Sequence, residues 1–133
     1  MANTTFTGPV RSQNGFQSVT VSSTTGAVTV NSSFGKDVVL STQSLSGAGA
    51  VNITDAFTSL TTTGNNQALT LANGSVGEVK VIVHTVDGGS AILTPTTKIG
   101  FTTITFTAVG DAATLIYTSA GWAVIGSKGV TIA

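Results

Sequence analysis

The sequence predicts an all-β protein: a compact antiparallel β-sandwich or barrel-like body with a C-terminal meander, preceded by an extended N-terminal arm with short strands. Three observations lead there. Thr, Val and Ile supply 25, 16 and 8 of the 133 residues, and β-branched side chains, stiff at χ1, suit pleated strands better than helices. Sixteen Gly and seven Asn provide frequent turns. Short runs that alternate apolar and polar residues recur along the chain, the signature of half-buried strands.

The chain divides near residue 35. In residues 1–35, Gly8-Pro9 and Asn14-Gly15 are turn signals. Phe6, Phe16 and Phe34 are too widely spaced for one small core. Val19-Thr20-Val21 and Val28-Thr29-Val30 repeat one alternating triplet around Ser22–Ala27, which predicts two short strands and a loop. From Lys36 onward, strands are expected at Asp37–Ser41, Ala50–Thr54, Phe57–Thr62, Ala68–Leu71, Val76–His84, Ala91–Thr94, Phe101–Val109, Ala112–Thr118, Trp122–Ile125 and Gly129–Ile132. Asp87-Gly88 and Gly110-Asp111 read as tight hairpin turns, and Ala120-Gly121 turns the chain into Trp122. The last three long strands then form an antiparallel meander. In it, Phe106, Leu115, Tyr117 and Trp122 are expected in a core or a subunit interface.

Charge removes several functions. Charged residues make up 8% of the chain and the net charge is zero, so no basic face exists for phosphate backbones, and no nucleic-acid partner is expected. The absence of cysteine excludes a disulfide scaffold and a thiolate nucleophile. The start, Met1-Ala2-Asn3-Thr4-Thr5, has neither a basic nor an apolar leader region. No apolar run nears the roughly 18 residues of a membrane span. The expectation is a protein that is not secreted and has no membrane partner, so the Asn-x-Ser/Thr sites at Asn3, Asn31, Asn52 and Asn73 reflect composition alone.

Candidate chemistry is sparse. His84, Asp87 and Ser90 suggest a triad on paper, but a strand end and a turn provide no orienting geometry. The acids Asp37, Asp55, Glu78, Asp87 and Asp111 are scattered. They give neither a glycosidase pair, which needs about 5–9.5 Å between carboxyls, nor a metal cluster. Asp87 and Asp111 read as turn residues. Gly47-Ala48-Gly49 lacks the Lys and the helix of a phosphate loop. No enzyme, no catalytic residue, no metal and no cofactor are expected. Tyr117 and Trp122 leave two readings open, a sugar-stacking platform or core and interface anchors.

Segments such as Val79-Lys80-Val81-Ile82-Val83 and Thr114-Leu115-Ile116-Tyr117 are aggregation hazards if exposed. Little charge is present to blunt the strand edges. Covering them with other copies of the chain or with another protein is the natural remedy, and Thr-rich faces suit closely packed homo-oligomers, so an obligate assembly is expected.

Two stretches carry a resemblance. The segment Phe6-Thr7-Gly8-Pro9-Val10-Arg11-Ser12-Gln13-Asn14-Gly15-Phe16 resembles the N-terminal part of small virion structural proteins of tailed phages, especially marine and cyanobacterial ones. The run from Ile104 to Tyr117, followed by Gly121-Trp122-Ala123-Val124-Ile125-Gly126, is similar to a meander of phage fibre and capsid-surface proteins. Together they cover about a quarter of the chain. The resemblance implies a homotrimer located on the virion and made in the host cytoplasm. Its expected role is a capsid decoration (cement) protein that stabilises neighbouring capsomers and binds the major capsid protein or another virion protein. A tail or head fibre component is the alternative, disfavoured by the short chain; a small carbohydrate-binding β module is the other. The arm is expected to attach the protein. Val19, Val21, Val28 and Val30 would add strands to exposed edges. Phe6, Phe16 and Phe34 would serve as apolar anchors and Arg11 as a partner for a carboxylate.

Overall fold

The computed structural model describes residues 16–34 and 39–133. The chain separates into two compact units, Met1–Val39 and Leu40–Ala133. In the first, β1 (Phe16–Val21) and β2 (Val28–Phe34) form an antiparallel hairpin, with a bulge at Ser18/Val19. Its loop closes where Ser22 N–H donates to the Ala27 carbonyl at 2.8 Å. Gly26 takes φ 69° there, a left-handed value that costs glycine nothing.

The second unit is all β. Its strands are β3 (Thr42–Ser46), β4 (Gly49–Val51), β5 (Phe57–Thr61), β6 (Gln67–Leu71), β7 (Val79–Val86), β8 (Ala91–Pro95), β9 (Ile104–Phe106), β10 (Ala112–Thr118), β11 (Gly121–Lys128) and β12 (Thr131–Ile132). They form two five-stranded sheets. Sheet I has the order β11-β10-β7-β5-β3, and sheet II the order β12-β9-β8-β6-β4. The sheets pack face to face as a β-sandwich. Leu60, Ile82, Leu115 and Trp122 of sheet I share one buried core with Leu69, Leu71, Leu93, Ile104 and Phe106 of sheet II. These alternate inward positions are the apolar half of the sequence alternation, and of the sandwich and the barrel they build the sandwich.

The pairing, however, is mixed rather than antiparallel. From β3 to β8 every strand crosses to the opposite sheet, so strands two apart in sequence become parallel neighbours: β3–β5–β7 in one sheet, β4–β6–β8 in the other. The chain thus winds as a stack of two-sheet coils, each supported by the next. The remaining strands close the sheets antiparallel, β9 on β8, β10 on β7, β11 on β10 and β12 on β9.

This path corrects two expected hairpins. Asp87–Ser90 carries the chain from sheet I to sheet II, and the segment around Gly110 carries it back; of the three expected turns, the one before Gly121 closes a hairpin. The expected three-strand meander therefore reduces to the β10–β11 pair. Gly88 serves a close approach rather than a tight turn: a Cβ there would sit 2.5 Å from the Thr62 carbonyl oxygen of the coil beneath. The strand expected at Asp37–Ser41 begins outside the described residues, and the first body strand starts instead at Thr42. The strand expected at Phe101–Val109 shrinks to Ile104–Phe106, because the chain must leave sheet II immediately afterwards.

Candidate functional site

Strand β7 has its two faces inverted relative to their chemistry. Lys80, Ile82 and His84 point inward and are fully buried, while Val79, Val81 and Val83 lie on the outer face. Each buried polar group has been given local partners. Lys80 Nζ donates to the Asp55 carbonyl oxygen. Burial holds its pKa below the ordinary amine value, opposed by the charges of Asp55 and Glu78. Nearby, the Gln43 carboxamide oxygen accepts from the Thr58 hydroxyl and the Asn52 amide, both at 3.0 Å. Asn52 Nδ2 donates to Asp55 Oδ2 at 2.8 Å.

At the other end of β7, the Thr62 hydroxyl is the organising atom. It donates to the Gly89 carbonyl at 2.8 Å and accepts from Gly88 N–H at 2.8 Å. Its single proton is thereby used, so the 3.0 Å contact with His84 Nε2 requires His84 to donate. Among the described residues, Nδ1 of His84 has no partner. Asp111, 6% exposed, accepts from the Thr107 and Ala108 amides at 2.7 and 3.0 Å and from the Thr107 hydroxyl. Burial pushes its pKa up, but those hydrogen bonds outweigh it and hold the carboxyl below the ordinary range. Asp111 is thus a buried anchor as well as a turn residue.

The paper triad is not assembled. His84 bonds Thr62, Asp87 Oδ1 accepts from Gly89 N–H at 2.8 Å, and the Ser90 hydroxyl engages Asn66. Among the described residues, no group of three or more His, Cys, Asp or Glu could hold a metal.

Trp122 is 0% exposed, and its Nε1–H donates to the Ala72 carbonyl at 2.8 Å. Tyr117, half-buried, meets it edge-on with centroids 5.2 Å apart at 71°. The indole therefore presents no face to a sugar ring, and it is spent in the core of its own chain rather than at an interface. Of the proposed arm contacts, Phe6 and Arg11 lie outside the described residues. Phe16 and Phe34 pair across the open end of the hairpin, as do Val19 with Val30 and Val21 with Val28 further along. Val21 and Val28 are 57% and 62% exposed.

The sequence marks Val79–Val83 as a hazard if exposed, but not which of its residues form the outer surface. Cross-strand rows on sheet I run Ala123–Ile116–Val79, then Gly126–Thr114–Val81–Phe57–Thr42, then Lys128–Ala112–Val83–Ser59–Ser44. On sheet II they run Ala50–Thr70–Thr94 and Ala68–Ile92–Thr105–Thr131. Lys128, at the end of edge strand β11, is the one charge on either outer face among the described residues. Strands β3, β4, β11 and β12 each bond one neighbour and leave a sheet edge.

No family model matches the chain, and no curated protein is significantly similar to it. The surface chemistry must carry the functional reading.

Proposed function

We propose that the chain is a non-enzymatic virion structural protein, a capsid decoration (cement) protein that assembles as a homotrimer on a phage head and stabilises neighbouring capsomers. The observation that carries this reading is the body's outer surface. Both sheet faces are uncharged except for Lys128, and the four edge strands carry no other charge. A free monomer would normally blunt such edges and keep its outward strand positions polar. A protein that works by being covered, on neighbouring copies and on a shell, has no such need. The resemblance of residues 6–16 and of the C-terminal strands to phage virion proteins supports the location.

The hairpin unit supports an attachment role for the N-terminal segment. It has two short strands that form a sheet of their own, with Val21 and Val28 exposed. Strand addition to an exposed edge would hold it without charged contacts. A fibre component is the second reading, favoured by one feature: stacked coils with open edges at both ends of each sheet can be continued by further copies.

The test is the copy number and location of the protein on purified particles. Hundreds of copies spread over the head support the decoration role, and a few copies at the tail refute it. On the same particles, a chain lacking residues 1–30 should retain a folded body and lose occupancy. Full occupancy by that truncated chain would move attachment to the β body.

A further inference from the structure

We propose that the outer face of sheet I, centred on Val81, is the surface through which copies of this chain meet, three of them turning it toward a common axis. The inference rests on the homotrimer reading and specifies its contact. Along β7 the apolar residues Val79, Val81 and Val83 face out while Lys80 and His84 face in. A strand facing water on its outer side shows the reverse pattern. The apolar outer residues are not isolated. Val81 pairs with Phe57 on one side, and Val79 pairs with Ile116 on the other, giving a continuous patch over three adjacent strands. The outer face of sheet II differs: Thr70, Thr94, Thr105 and Thr131 stand there with Ala50, Ala68 and Ile92, so Ile92 is its one large apolar side chain.

Charge identifies the occupant. The sheet I patch has no charged side chain to complement a nucleic acid, an anionic membrane or a charged protein surface, and its one cation, Lys128, stands at the rim of the sheet. An apolar centre with charge confined to the rim is how protein interfaces are built. The partner surface must be equally neutral and apolar, which the same face of a second copy satisfies. Three copies around an axis would also remove the Val79–Val83 segment from water, where it is an aggregation hazard.

The test measures the mass of the full chain by light scattering across a micromolar dilution series, with circular dichroism as the folding check. Val81→Glu should weaken association by about a hundredfold or more, because a carboxylate would be buried without a partner. Thr94→Glu on the opposite face should leave association unchanged. Mixing Val81→Glu with Val81→Lys should restore it in part, because the axis brings opposite charges together and leaves one of the three unpaired. If Val81→Glu does not fold, Ile116→Lys takes its place. A wild-type chain that assembles, with Val81→Glu assembling equally well or Thr94→Glu breaking it, overturns this surface and leaves the trimer standing. A wild-type chain that remains monomeric throughout overturns both.

Discussion

Truncating Trp122 to alanine removes the largest fully buried side chain of the core. The indole is 0% exposed and forms an edge-to-face pair with Tyr117. Its backbone also joins the segment before β9: Trp122 N–H donates to Thr97 O at 3.0 Å and Ile99 N–H donates to Trp122 O at 2.9 Å. Those backbone bonds survive the substitution, so the loss is confined to packing and one side-chain hydrogen bond. The packing loss of a buried Trp→Ala change is about 3–5 kcal/mol. The lost indole hydrogen bond adds little, because its acceptor belongs to exposed Ala72 and water can replace the donor. Trp122→Phe keeps most of the buried ring and should cost roughly 1–2 kcal/mol. Urea denaturation followed by circular dichroism measures both, since the only tryptophan fluorophore is removed. All chains must be compared at one protein concentration, because self-association raises apparent stability. A Trp122→Ala chain within about 1 kcal/mol of wild type would refute the core assignment and return the indole to a surface role.

Three further outcomes are expected. Asp111→Asn should destabilise by roughly 1–3 kcal/mol at neutral pH through weakened charge-assisted hydrogen bonds. The carboxyl's pKa is lowered by folding, so its contribution is complete above the unfolded value near 3.8 and vanishes as pH falls through the lower folded value; denaturation from pH 7 to pH 2 should show wild type and variant converging. Lys80→Met should remove an alkaline gain in stability: the folded pKa lies below the ordinary 10.5, the unfolded chain binds the extra proton between the two values, and wild-type stability therefore rises with pH there. Equal pH slopes for the two proteins would contradict that burial. Gly89→Ala should cost at least about 2 kcal/mol, because Gly89 holds φ 141° and a Cβ would strike the Gly64 backbone; an unchanged melting temperature would mean that the two corners do not stack.

How much of this was legible in the sequence follows from which signals are local. The hairpin around Ser22–Ala27, the β10–β11 turn and the buried Phe106, Leu115 and Trp122 are each announced by alternation or turn residues within a few positions. Strand β3 escaped notice because Thr-Gln-Ser-Leu-Ser has one apolar residue, and its inner Gln43 bonds Asn52 and Thr58 rather than packing as a hydrophobe. Sheet exchange escaped for a different reason. A glycine pair after Asp87 reports that the chain turns, not which sheet receives the next strand. What decides that is the approach of Gly88 to Thr62, a contact across 26 residues. The burial of His84 was equally hidden, since it depends on a hydroxyl 22 residues away.

The inverted strand ties these features together. On hydrophobicity alone, β7 should slip by one residue, which would bring Val79, Val81 and Val83 into the core and release Lys80 and His84 to water, with Ile82 the one apolar residue lost from it. Two things oppose the slip. Inside, the Lys80 ammonium is met by the Asp55 carbonyl and His84 by the Thr62 hydroxyl, and both partners would be abandoned. Thr62 would lose a donor while still fixed to Gly88 and Gly89, so the corner between the sheets would be disturbed with the strand. Outside, the valines complete a patch with Phe57 and Ile116 that a slipped strand would break. The buried polar groups thus act as register pins: they are worth little as stabilising pairs, given the desolvation of a charged lysine. Their consequence is that an apolar face is held outward in one defined arrangement. A fold that pins its valines to the surface has prepared that surface for contact.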